Sequence, residues 1–155
     1  MYANDISSSK LGIALNNAKI YHAEQRISFI NKDFLVLDKS KDFDNLIDIV
    51  FISLPWGGIN YSKELIYNLD QIVPNFRETL RKALLLANNV VLFLPRNTDL
   101  RQLETIISSY DSLYSNSKEC FVTIEALIKS NTNISALVVY IGPLFKVLKY
   151  YKHIA

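Results

Sequence analysis

The chain has 155 residues, half of them hydrophobic and 21% charged, with a net charge of +2. That balance suits one folded domain with a substantial core and excludes a disordered chain. A single cysteine, Cys120, excludes an intrachain disulfide, and with two histidines, His22 and His153, it offers too few ligands for an expected structural metal site.

Residues 2–6 predict the end of a strand that carries an acid, Asp5. The first five residues have no basic segment, so no secretory leader is expected in them. Ser7, Ser8 and Ser9 offer N-cap hydroxyls for a helix over residues 10–21, with Leu11, Ala14, Leu15, Ala18 and Tyr21 on one face. A short strand follows at 26–30, then the polar turn Asn31-Lys32-Asp33 and the apolar pair Phe34-Leu35. Residues 47–53 read as a fully buried strand. Residues 73–88 carry a helical pattern through Phe76, Leu80, Leu84 and Leu85, punctuated by Asn88-Asn89. Residues 90–94 are the next buried strand. Pro95-Arg96-Asn97-Thr98 is a strand-end loop in which Asn97 or Thr98 caps a helix over 100–110. Residues 121–127 and 134–141 predict two last strands joined by the turn at 130–133. The segment after them, with Lys146, Lys149 and Lys152 beside Tyr150 and Tyr151, predicts an amphipathic helix with a solvated basic face. No apolar run is long enough to span a bilayer as a helix.

Strands alternating with helices, then two consecutive strands, predict an α/β sheet whose last pair is antiparallel. Ligand-binding residues in such sheets sit at the carboxyl ends of the parallel strands. Asp5, Asp33, residues 53–61 and residues 95–97 all follow predicted strands directly. The most informative of these is Ser53-Leu54-Pro55-Trp56-Gly57-Gly58-Ile59-Asn60-Tyr61. It holds two of the four glycines and the only tryptophan. Proline and glycine set the backbone there, and the indole offers a face to a flat ligand.

These clusters, in this order, resemble the trimethylguanosine synthase family of class I S-adenosylmethionine-dependent methyltransferases, which methylate the N2 amine of an m7G cap on RNA. The likeness lies in Asp5, Asn16-Asn17-Ala18, Lys32-Asp33-Phe34, the Pro-Trp-Gly-Gly at 55–58, and Phe93-Leu94-Pro95-Arg96-Asn97. Leu54 and Ile59-Asn60 depart from the family's Pro and Pro-Asp. The resemblance implies a Rossmann-like sheet with helices on both faces, a single domain over 1–155, and S-adenosylmethionine as cofactor. It implies m7G-capped RNA as partner, no metal, no membrane, and a nuclear location with the cytoplasm as second compartment. Asp5 would hold the cofactor's ribose, or cap the first helix. Asp33 and Phe34 would contact its adenine, or serve as a turn residue and a core residue. Ser53 would touch both cofactor and substrate, and Ser53 with Pro55 would form the methyl-transfer centre. Trp56 would stack on the cap base, or belong to the core. Arg96 would bind the cap phosphates, or lie on the surface, and Asn97 would join it in binding the substrate. The family's first strand and Gly-rich cofactor loop are not matched, so the expectation is a fragment, or a degenerate relative that binds cap or RNA without catalysis. Another base-amine methyltransferase is the remaining alternative.

Overall fold

The computed structural model describes residues 1–44, 46–110, 113, 121–129 and 133–150. Cys120, Tyr151, Lys152 and His153 lie outside them. The chain divides into two compact units, Met1–Leu46 and Ile47–Ala155.

In the first unit, β1 (Tyr2–Asp5) and β2 (Ser28–Asn31) form a two-stranded parallel sheet, with Asp5 level with Asn31. The connection is α1 (Ser8–Ile20), as parallel pairing requires a crossover. Ser7 caps α1 by accepting from the Lys10 amide at 3.4 Å. The expected face holds for Leu11, Ala14, Leu15 and Ala18, all at least half-buried. Tyr21 departs from it: it stands just past the last helical turn and is 80% exposed.

In the second unit, four strands pair in the order β3-β4-β6-β5. β3 (Val50–Ile52) runs parallel to β4 (Val90–Pro95), and β6 (Ile134–Ile141) is antiparallel to both β4 and β5 (Val122–Ile128). The final antiparallel pair is as expected. α2 (Phe76–Leu86) links β3 to β4, and α3 (Leu100–Ser108) follows β4. β4 is central, so Val90, Leu92 and Leu94 are at most 2% exposed. Buried residues of the helices, among them Phe76, Leu80, Leu103 and Ile106, complete that core.

Four expectations are corrected here. The run at 47–53 yields only three strand residues and is not fully buried. Among the described residues β3 pairs on one side only, and Phe51, pointing opposite to Val50 and Ile52, is 63% exposed. The second helix begins at Phe76 because Asn75 caps it, its side chain accepting from the Glu78 amide at 3.1 Å. Leu85 is exposed, since it comes about two and a half turns after Phe76 and so falls on the opposite face. α3 is capped by Asp99, whose carboxylate accepts from the Arg101 and Gln102 amides, rather than by Asn97 or Thr98. The segment after β6 is a 3-10 helix, Pro143–Tyr150, instead of an α-helix.

Candidate functional site

The candidate residues form two groups, one in each unit. Parallel pairing explains the first. With Asp5 opposite Asn31, the residues that follow β1 and β2 leave the sheet at the same edge. Asp5 Oδ1 accepts from the Ser7 amide at 2.8 Å, tightening the turn into α1. Asn31 Nδ2 donates to the Asp5 and Ile6 carbonyls at 3.0 and 2.9 Å and ties the two strand ends together. Asn4 does the same from the other strand, donating to the Ile30 and Lys32 carbonyls. Asp33 caps the 3-10 turn Phe34–Val36, its Oδ1 accepting from the Leu35 amide at 2.9 Å. Asp5, Asp33 and Phe34 are all half-buried. The second carboxylate oxygen of Asp5 and of Asp33 takes no hydrogen bond from the described residues. Beyond this turn the Asp38 amide and the Lys32 ammonium both hold the Asp42 carboxyl below its usual range.

The second group follows β3 and β4, which are also parallel, with Ile52 level with Leu92. Ser53 and Pro55 are exposed just past β3, and Leu54 is half-buried between them. Trp56 then folds back on β4. Its Nε1 donates to the Phe93 carbonyl at 3.3 Å, and its ring lies 5.1 Å from the Phe93 ring at a 32° tilt. Tyr61 meets the indole edge-on at 5.3 Å, and Tyr67 meets Tyr61 at 6.4 Å. The indole is thus half-buried in an aromatic cluster, between the two roles expected of it. Gly57 and Gly58 follow with φ of +84° and +71°, left-handed conformations that let the chain turn at once into the 3-10 helix Gly58–Lys63.

Arg96 is exposed and makes no hydrogen bond or ion pair with the described residues. Asn97 is engaged: its Nδ2 donates to the Tyr61 and Glu64 carbonyls. Tyr61 and Tyr67 belong to the site's structure and were not singled out from sequence. Tyr61 closes the glycine motif and could have been found there. Tyr67 has no local signal, because its position depends on pairing with Thr98. Burial and the Glu64 carboxylate push the Tyr67 phenol up, so it stays protonated and donates to the Trp56 carbonyl at 3.2 Å. No cluster of three or more metal-ligating side chains occurs among the described residues.

Solved structures assigned as methyltransferases superpose on this chain. A Clostridium thermocellum protein assigned as an rRNA methylase superposes with a TM-score of 0.54 at 14% identity, over 91% of this chain and 73% of that one. A Streptococcus mutans protein assigned as a methyltransferase, solved in complex with SAH, gives 0.50 at 10% identity, over 90% and 74%. The fold is that of the class I methyltransferases. Within that class, the model of the RNA cap guanine-N2 methyltransferase family matches residues 1–144, and the chain belongs to that family. Trimethylguanosine synthase of Schizosaccharomyces pombe is 34% identical over 113 residues, 71% of this chain. The match spans 47% of that relative's length.

Proposed function

We propose that the chain carries the cofactor- and cap-binding strand ends of an enzyme that transfers methyl from S-adenosylmethionine to the N2 amine of m7G-capped RNA. The observation that carries this reading is the loop at 53–61. It puts a polar group and backbone carbonyls beside a tryptophan at the end of a parallel strand, in a chain of the cap guanine-N2 family. A nucleoside cofactor fits the first unit: among the described residues, Asp5 and Asp33 each keep one carboxylate oxygen without a hydrogen bond after fixing their own turns. Those oxygens suit the ribose hydroxyls and the adenine amine, and Phe34 suits the adenine ring.

S-adenosylmethionine, when bound, supplies an electrophilic methyl on a sulfonium. The work left to this chain is alignment. Guanine N2 is conjugated and a weak nucleophile. The Ser53 hydroxyl and the Leu54 carbonyl would accept hydrogen bonds from its N–H groups and hold the amine with its lone pair uncovered. Pro55 limits the freedom of the carbonyl that precedes it. Trp56 stacks on the cationic m7G ring, and Arg96, with no partner among the described residues, takes cap phosphate.

Calorimetric titration of the full chain with m7GpppG and with GpppG tests this reading. The methylated cap is expected to bind more tightly. Equal affinity for the two dinucleotides would overturn it.

A further inference from the structure

We propose that Asn97 is a positioning residue that sets the pose of Trp56 and does not itself touch substrate. The proposal rests on the reading of Trp56 as the base-stacking residue. Asn97 Nδ2 donates to the Tyr61 carbonyl at 3.1 Å and to the Glu64 carbonyl at 2.7 Å. A carboxamide nitrogen carries two hydrogens, so its donor capacity is spent. Reversing the amide would aim oxygen at both carbonyls, so the network fixes its orientation. Asn97 Oδ1 is buried with no hydrogen-bond partner among the described residues, so no ligand reaches it in this arrangement.

The carbonyls that Asn97 holds lie at the end of the 3-10 helix Gly58–Lys63, where the Glu64 amide also donates to the Tyr61 carbonyl at 3.3 Å. Tyr61 is the residue whose ring meets the Trp56 indole. The main chain of Asn97 reaches the same indole-bearing residue by a second route. Its carbonyl accepts from the Tyr67 amide at 2.7 Å, and the Tyr67 hydroxyl donates to the Trp56 carbonyl. The loop needs such a fastening. A Cβ at Gly57 or Gly58 would meet nothing within 4 Å, so packing does not hold the chain at its two most flexible residues. One residue at the end of β4 therefore holds the loop that follows β3, through its side chain and its backbone together.

Because Trp56 is the only tryptophan, its fluorescence in the free protein reads this arrangement directly. Asn97→Asp keeps the shape and replaces two donors with a carboxylate; Asn97→Ala removes the group without adding charge. In whichever variant far-UV circular dichroism shows to be folded, acrylamide quenching of Trp56 should rise about twofold as the loop opens locally. Affinity for m7GTP should fall with it. Unchanged quenching overturns the proposal. So does a loss of m7GTP affinity with unchanged quenching, which would make Asn97 a contact residue. Should neither variant fold, native-state hydrogen exchange of the unmodified chain decides. The Glu64 and Tyr67 amides should open with one free energy, and independent opening of Glu64 overturns the clamp. Quenching that rises in a chain that never binds m7GTP supports the clamp and sinks only the cap reading.

Discussion

Removing the indole should separate what Trp56 does for the loop from what it does for a cap. In Trp56→Ala the loop loses ring contacts with Phe93 and Tyr61, each worth about 0.5–1.5 kcal/mol beyond burial. The indole is only half-buried, so truncation should cost about 2 kcal/mol of stability, below the usual range for a core tryptophan. The variant should therefore melt earlier but remain folded in the cold. Stacking of a cationic m7G on the indole is worth about 0.5–2 kcal/mol, a two- to thirtyfold difference in affinity. That difference should separate m7GTP from GTP in the unmodified chain and vanish in Trp56→Ala. In the unmodified chain m7GTP should quench the single tryptophan more strongly than GTP does. The variant lacks the fluorophore, so its affinities are measured by calorimetry. Equal quenching by both nucleotides, or a preference for m7GTP that survives in Trp56→Ala, would refute the stacking argument.

Arg96→Ala should weaken m7GTP about tenfold and leave m7G nucleoside unaffected, because a charged hydrogen bond to phosphate is what it would lose; equal losses in the two titrations would place Arg96 in the support of the loop. The raised Tyr67 phenol gives a pH effect of definite sign. The folded chain holds that proton longer than the unfolded chain, so the stability it contributes is complete below about pH 10 and is lost as pH rises through the folded value. Tyr140 is raised in the same direction, so thermal melts in that alkaline range should show a reduced but not abolished loss in Tyr67→Phe. An identical loss in both proteins would remove Tyr67 from the account. Gly142→Ala should cost about 3 kcal/mol or more by denaturant titration. At φ +129° the added Cβ would collide with the Asn88 carbonyl and come within 2.7 Å of Asn89 Oδ1. A cost under about 1 kcal/mol would mean that the Asn88-Asn89 turn yields easily.

Periodicity carried the main helices and the succession of strands along the chain because those depend on residues near each other in sequence. It failed where the deciding neighbour is distant. The apolar run around Phe51 has the composition of a doubly covered strand, but composition does not say whether a partner lies on each side. The cap of α3 was misassigned because Asn97, Thr98 and Asp99 are all good capping residues. The first two are engaged elsewhere, Asn97 on the loop after β3 and Thr98 Oγ1 on the Pro95 carbonyl at 2.7 Å, which leaves Asp99 to cap. The placement of the candidate residues just past strand ends was legible. Their division of labour was not, because it depends on which polar atoms the fold has already used.

That accounting separates ligand-facing residues from positioning ones. A carboxylate has two oxygens, so Asp5 can accept from the Ser7 amide and Asp33 from the Leu35 amide while each keeps an acceptor for a ligand. The turn that orients the acid and the ligand it would bind then make no competing claim on the same atom. Trp56 follows the same economy: the only polar hydrogen of its indole is fixed on the Phe93 carbonyl, which leaves ring surface as what the side chain could offer a ligand. Arg96 makes no hydrogen bond or ion pair with the described residues, so a phosphate taken as proposed would have to order it, and that contribution would be sensitive to salt. Asn97 is the opposite case, with both amide hydrogens engaged and its oxygen buried. Pre-ordering by such a residue lowers the cost of binding without adding a contact. The Phe-Leu-Pro-Arg-Asn at 93–97 therefore divides between a ring against the indole, an arginine that makes no hydrogen bond or ion pair among the described residues, and an asparagine whose side chain is tied to the neighbouring loop.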